Sequence, residues 1–222
     1  MQLYLVRHAE SENNARPGYL RVEDPALTAV GRLQAAALAQ WTRTAHIDTL
    51  ITSPFLRTLQ TTQPVTEATG IGPLVWHDVY ECGGCYRGHG DDASEGGPGL
   101  GASKIREIIP GATLDTSITE SGWYAGRKRE TETEHAARCV TVLDRLIATF
   151  GNRGEHIFAI VHADFKRQLL VEILGSAADV TAFGPMRNTG ITKIDFDGSR
   201  WRLDWFNSVS HLPSRLITGV QW

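Results

Sequence analysis

The chain alternates short apolar runs with helical periodicities, and several of the runs break off abruptly into polar residues. Leu3 to Val6 is such a run and reads as a buried parallel strand that ends in Arg7-His8. Thr49 to Thr52 and His156 to Val161 repeat the pattern, the second running directly into His162, and Leu74 to Trp76 is a further strand candidate. Between them lie helical patterns. Thr28 caps a helix reaching about Thr42, with Val30, Leu33, Ala37 and Trp41 on its inner face. Ser53-Pro54 opens a second helix that Gly70 closes. Ala102 to Ile109 is a short helix stopped by Pro110-Gly111. Glu130 to Phe150 is a long one with an acidic first turn and an apolar stripe of Val140, Leu143, Ile147 and Phe150. Phe165 to Leu174 is helical and ends at Gly175. Ile191 to Phe196 and Trp201 to Phe206 alternate around Asp197-Gly198 as a β-hairpin.

Strands alternating with helices predict a three-layer α/β/α fold: a mostly parallel sheet, helices on both faces, and a late antiparallel hairpin at one edge. No linker or repeat divides the sequence, so a single domain over residues 1–222 is expected. Glycine dominates from Cys82 to about Gly101, which predicts a long mobile loop, a lid or insert over about residues 82–129.

Composition narrows the function. A net charge of −3 gives no global basic field, so nucleic acid is excluded as a partner, and no apolar run approaches a membrane span. The amino terminus runs straight into a strand without a signal-like segment, and a chain of this size with three cysteines needs no disulfides, so a cytoplasmic location is expected.

The chemistry sits at the strand ends, where open α/β sheets bind ligands. Arg7 and His8 follow the first strand, Arg57 lies on the first turn of the helix after the second, Glu81 follows the third, and His162 follows a fourth. Guanidinium groups fit phosphate oxygens, imidazole is a nucleophile or proton carrier, and a carboxyl group can act as an acid. Singly, each residue has a bland explanation as a solvated side chain or core histidine; jointly they describe a phosphate site.

These residues carry a resemblance. Leu5-Val6-Arg7-His8-Ala9-Glu10-Ser11-Glu12 with Asn14, then Leu27-Thr28 with Gly31, then Ser53-Pro54 with Arg57 and Gln60-Thr61, then Glu81, Ile160-Val161-His162 and Asn188-Thr189-Gly190 are similar, in order, to the motifs of the histidine phosphatase superfamily, the phosphoglycerate-mutase-like fold. The resemblance implies a phosphatase of a small phosphorylated metabolite that needs no metal or other cofactor. His8 would become phosphohistidine, and Arg7, Arg57 and a protonated His162 would hold the phosphoryl oxygens. Glu81 would protonate the leaving oxygen, which requires a neutral carboxyl in that step. Asn14 would donate a further hydrogen bond, and Arg21, Cys82 and Ala163 would contact the substrate.

Departures from the family pattern set further expectations. Ala9 and Ala163 stand where glycine is usual, which requires negative φ at both. Asp164 is expected to point away and cap the following helix, with contact to a substrate hydroxyl as the alternative. Cys82 and Cys85, a C-x-x-C pair, are read with Tyr86 as pocket lining rather than as a redox or zinc pair. Arg87, His89, Arg106 and Arg127-Lys128-Arg129 either reach the organic part of a ligand or are solvated surface. The stretch after Glu81 reads Cys-Gly-Gly-Cys-Tyr-Arg-Gly and lacks the Arg-x-Tyr-Gly-x-Leu-x-Gly of true mutases, which favours hydrolysis over mutase-type phosphotransfer. A non-catalytic phospho-ligand binding protein is the remaining alternative.

Overall fold

The protein is described here from a computed structural model covering residues 1–90, 93–175, 181 and 183–219. Seven strands form one mixed sheet: β1 (Gln2–Arg7), β2 (Thr49–Thr52), β3 (Leu74–Val75), β4 (Thr113–Leu114), β5 (His156–Val161), β6 (Ile191–Phe196) and β7 (Trp201–Ser208). Their order is β4-β3-β2-β5-β1-β6-β7. The first five positions are parallel, β6 adds antiparallel to β1, and β7 adds antiparallel to β6. The predicted strands and hairpin are present; β4, two residues long, has too little sequence to signal itself.

Among the described residues, six α-helices accompany the sheet: α1 (Glu12–Ala15), α2 (Ala29–Thr42), α3 (Leu56–Thr69), α4 (Ala102–Ile108), α5 (Glu132–Phe150) and α6 (Ala163–Leu174). The side-chain alternation of β1 separates two core layers. Tyr4 and Val6 join Leu38 of α2 and Val65 of α3 on one face. Leu3 and Leu5 join Val142 and Leu146 of α5 and Phe165 and Leu169 of α6 on the other.

Two helical faces differ from the expectation. On α2 the buried residues are Gly31, Gln34, Ala35, Leu38, Ala39 and Thr42, whereas Leu33 is 57% exposed. The helix is turned because Gln34 is needed inside. Its Oε1 accepts from the Glu10 N–H at 2.8 Å, and its Nε2 donates to the Leu216 carbonyl at 2.7 Å. On α5 the buried seam is His135, Cys139, Val142, Leu146 and Phe150; Val140 is 43% exposed, while Leu143 and Ile147 pack at its margin. Cys139 and His135 are weak apolar signals, so a hydrophobicity-weighted stripe drifts off the true face.

The helix expected to open at Ser53-Pro54 begins instead at Leu56, with Phe55 at the N-cap. Ser53 is used elsewhere, and the Leu56 N–H is taken by Asp24 at 2.8 Å. Gly70 does end α3, at φ 73°.

The glycine-rich stretch expected to be a mobile lid is tied down along much of its length; residues 91 and 92 lie outside the described residues. Gly97 donates to the Cys85 carbonyl at 2.7 Å, Tyr124 to Pro98 at 2.9 Å and Arg129 to Ser94 at 3.0 Å. Beneath it Cys85, Ala102, Ile105, Trp123 and Tyr124 pack with Phe55 and Leu59 of the main fold. Glycine serves close approach here: a Cβ on Gly84 would lie 2.3 Å from the Tyr124 ring.

Gly31 performs the same service at the signature loop, since a Cβ there would stand 2.0 Å from the Glu10 carbonyl oxygen. Gly31→Ala is therefore expected to cost about 1–3 kcal/mol through forced backbone displacement. Urea denaturation measures it; a variant as stable as the parent would show that the loop has slack the packing denies.

Candidate active site

Three neighbouring strands deliver the floor of the site. Arg7 ends β1 beside Val161, the last residue of β5, and Thr52 ends β2 on the other side of β5. His8, Ser53 and His162 therefore emerge side by side. The loop at His8 is clamped by backbone bonds: His8 N–H donates to Val161 at 2.9 Å, and Asn188 Nδ2 donates to the His8 carbonyl at 3.1 Å. Ala9 and Ala163 have negative φ, as expected, and Ala9 N–H is held by Thr61 Oγ1 at 3.0 Å.

Arg57 organises the floor. Its Nε donates to His8 Nε2 at 3.2 Å and its Nη2 to His162 Nδ1 at 3.1 Å, and its guanidinium carbon lies 4.0 Å from the centre of the Phe55 ring. A guanidinium only donates, so both ring nitrogens facing it must carry lone pairs. The other nitrogens agree. His8 Nδ1 lies 2.7 Å from the Ala9 carbonyl and donates to it, and His162 Nε2 lies 2.8 Å from Ser53 Oγ. The two rings sit 5.2 Å apart in an edge-to-face arrangement.

All four groups are buried: Arg7 is 9% exposed, His8 3%, Arg57 5% and His162 0%. Desolvation, then the charge of Arg57, pushes both imidazoles well below the usual histidine range. His8 is thus held neutral, with an unprotonated Nε2 whose lone pair faces Arg57. His162 is neutral among these cationic neighbours; the protonated form expected with bound phosphate requires the anion itself to reverse the balance. Burial also lowers Arg57 to about 10.

Glu81 reaches the same cavity from the other side. Its carboxyl accepts N–H groups from Ala163 at 3.1 Å, Asp164 at 3.1 Å and Phe165 at 3.0 Å, the open first turn of α6, and from Cys82 at 3.0 Å. This explains why Asp164 is not the cap expected of it. His162 holds the N-cap position, the free N–H groups belong to Glu81, and Asp164 turns to pair with Arg167. Asp164 nevertheless lines the cavity, and the Glu81 charge and burial raise its carboxyl above the ordinary range.

The cavity holds about 420 Å³ and brings together Arg7, His8, Asn14, Arg21, Arg57, Glu81, Cys82 and Ala163. His162 lies beneath it, linked through Arg57. The Asn14 side-chain oxygen is engaged by Ser11 N–H, Ser11 Oγ and Asn188 Nδ2 at 3.1 to 3.3 Å, which leaves its amide nitrogen as the donating end. Arg21 and Arg129 each lie 4.5 Å from the centre of the Tyr86 ring on the outer wall. Cys85 does not line the cavity; it is 0% exposed in the core of the insert. Burial and nearby carboxylates push the thiols of Cys82 and Cys85 up to about 12.

The family model described as histidine phosphatase superfamily, branch 1, matches residues 3–209. The chain belongs to that superfamily. Among its relatives, a probable phosphoglycerate mutase of Klebsiella pneumoniae is 27% identical over 230 residues, covering 100% of this chain and 99% of the relative. Phosphoserine phosphatase 1 of Hydrogenobacter thermophilus is 41% identical over 71 residues, 32% of this chain and 34% of the relative. The fold matches Bacillus stearothermophilus YhfR at a TM-score of 0.67 and 20% identity, covering 95% and 98% of the two chains. It also matches Entamoeba histolytica phosphoserine phosphatase solved with 3-phosphoglyceric acid, at 0.65 and 22%, covering 96% and 99%. Phosphatases and mutases both transfer phosphoryl groups, and this member of the superfamily is placed with them at that level. No helix among its described residues is long and apolar enough to cross a membrane.

Several residues of the site escaped sequence reasoning. Asp24 is the main one: its Oδ1 accepts the Leu56 N–H, its Oδ2 is buried without a hydrogen-bond partner, and the charge of Arg57 acts on it. The only signal was its place in the Asp24-Pro25 turn. Ser53 was read only as a helix cap and motif residue, and Met186, whose carbonyl accepts from Arg7, gave no signal; Arg129, one of the residues expected either to reach the organic part of a ligand or to be solvated, lines the cavity. Desolvation outweighs the Arg57 attraction and raises Asp24 to about 7. In the unfolded chain the carboxyl ionises near its ordinary value of 3.8, so its contribution to stability is full below that and is lost as pH rises towards 7. Asp24→Asn removes the charge and keeps the acceptor. Its melting temperature relative to the parent is expected to rise by at least about 2 °C between pH 4 and pH 8. A difference that is the same at both pH values would reject this reading.

Proposed function

We propose that the protein is a phosphatase of small phosphomonoesters that works through phosphohistidine on His8 without a metal ion. The observation that carries this reading is the state of the His8 ring: Nδ1 is tied to the Ala9 carbonyl at 2.7 Å, and the Nε2 lone pair stands at the floor of a cationic cavity.

In the first step Nε2 attacks phosphorus in line. An N–P bond forms, the ester P–O bond breaks, and Glu81 gives its proton to the leaving oxygen. Arg7 and Arg57 face the equatorial oxygens, with His162 taking up a proton as the dianion arrives. Their positions are fixed before substrate binds, so little reorganisation is needed. Arg57 exchanges its bond to His8 for bonds to phosphate. In the second step water attacks phosphorus, gives its proton to Glu81, and the N–P bond breaks to release phosphate and neutral His8. Oε1 of Glu81 takes the N–H groups of Cys82, Asp164 and Phe165, and Oε2, held mainly by Ala163 N–H, handles the proton. Asn14 donates to the phosphoryl group, and Arg21, Cys82 and Ala163 meet the organic part of the substrate.

Mutase-type transfer uses the same first step, and the full-length likeness to probable phosphoglycerate mutases speaks for it. The stretch after Glu81 speaks for hydrolysis. Phosphate release from a phosphomonoester panel, run beside a mutase-coupled assay, separates them: release in excess of isomerisation is expected, and dominant isomerisation would replace this reading with the mutase. His8→Ala is expected to lower phosphate release by at least about 10³-fold, the scale on which loss of a nucleophile acts. Residual activity within tenfold of the parent would end the phosphohistidine mechanism. Glu81→Gln should slow alkyl phosphates by about 10²–10⁴-fold and slow p-nitrophenyl phosphate less, because its leaving group needs no proton and only the shared water step suffers. Equal losses on both substrates would remove the acid role.

A further inference from the structure

At the opposite end of the central strands from the phosphate cavity, three side chains that the mechanism does not use converge. His46 lies in the connection after α2, Asp48 precedes β2, and His156 is the first residue of β5. The six residues of β5 start at His156 and end just before His162, so the two sites stand roughly 20 Å apart along one strand.

Backbone pairing sets two of the three positions. Asp48 N–H donates to the His156 carbonyl at 2.9 Å, and His156 N–H donates to Asp48 Oδ2 at 2.8 Å. His46 then folds over them, its ring centre 4.4 Å from that of His156. His46 Nε2 lies 3.0 Å from Asp48 Oδ1, and His156 Nδ1 lies 3.0 Å from Asp48 Oδ2. One ligand atom from each residue falls within 4.8 Å of the other two.

We propose that His46 Nε2, His156 Nδ1 and the Asp48 carboxylate bind a divalent transition-metal ion such as Zn²⁺ or Ni²⁺. Two imidazole nitrogens and one carboxylate oxygen are a donor set these ions favour, with remaining positions open to water. Metal–ligand bonds near 2.1 Å put neighbouring ligands about 3.0 Å apart at right angles and about 3.4 Å apart in a tetrahedron. The two N···O spacings of 3.0 Å, each to a different Asp48 oxygen, meet the first, and the set of three, which spans up to 4.8 Å, closes on one ion when the rings draw inward. His46, with 70% of its side chain exposed on a turn, is free to supply that movement. Binding exchanges two N–H···O bonds for metal–ligand bonds: each facing nitrogen gives up its proton to water, and the neutral ring carries its proton on the nitrogen facing away. The His156 backbone N–H holds Asp48 Oδ2 in place at 2.8 Å, a bond that metal binding leaves intact. The ion would clip the turn after α2 to the start of β5, remote from the reacting atoms.

Isothermal titration of the full chain with ZnCl₂ and with NiCl₂, compared with His46→Ala and His156→Ala, tests this. One equivalent bound at micromolar affinity is expected in the parent, weakened by at least about tenfold in each variant. Phosphatase turnover of both variants should stay within twofold of the parent, which shows that they fold. Broadening of the His46 and His156 ring NMR signals by substoichiometric Ni²⁺ reports the same site directly. No uptake by the parent, or undiminished uptake by folded His46→Ala, would overturn the proposal; the second outcome would move the ion to other ligands.

Discussion

A single guanidinium determines the state of both histidines at the centre of this molecule. Arg57 can only donate, and it addresses one nitrogen on each ring. The rings must therefore present lone pairs inward and hold their protons on the far side, where the Ala9 carbonyl and Ser53 hydroxyl lie. Neither tautomer is independent of the other. The arrangement concentrates positive charge from Arg7 and Arg57 in a desolvated pocket, with Asp24 as a buried and reluctant counter-charge. Such a pocket is strained electrostatically until an anion enters, and a phosphoryl dianion is the guest it is built to accept.

The rest of the fold serves that geometry. Parallel strands β1, β5 and β2 end at one level, which places His8, His162 and Ser53 within reach of one another. The amino end of α6, exposed by the same topology, grips Glu81 from the side opposite Arg57. Gly31 lets α2 press against the Glu10 backbone, and Gln34 stitches that loop to the carboxyl-terminal segment.

Much of this was legible in the sequence because period and punctuation are local. The apolar runs of β1, β2 and β5, the caps at Thr28 and Gly70, and the order of charged residues after strands all survive in the structure. What was not legible depends on partners distant in sequence. The rotation of α2 follows from Gln34 bonding Leu216, 182 positions away, and hydrophobicity alone turns that helix the wrong way. Asp164 was assigned a cap because the competitor for those N–H groups, Glu81, lies 82 residues earlier. Glycine content suggested looseness between Cys82 and Gly101, yet the same glycines let backbone and aromatic rings approach closely, as Gly84 and Tyr124 do.

The thiol of Cys82 sits on the wall of the cavity, and its surroundings keep it in the S–H form, pushed up to about 12. Peroxide and electrophiles attack thiolate, which this wall suppresses. On the phosphohistidine reading proposed above, the attacking atom is an imidazole nitrogen, so oxidants that silence cysteine-dependent phosphatases would leave that atom untouched.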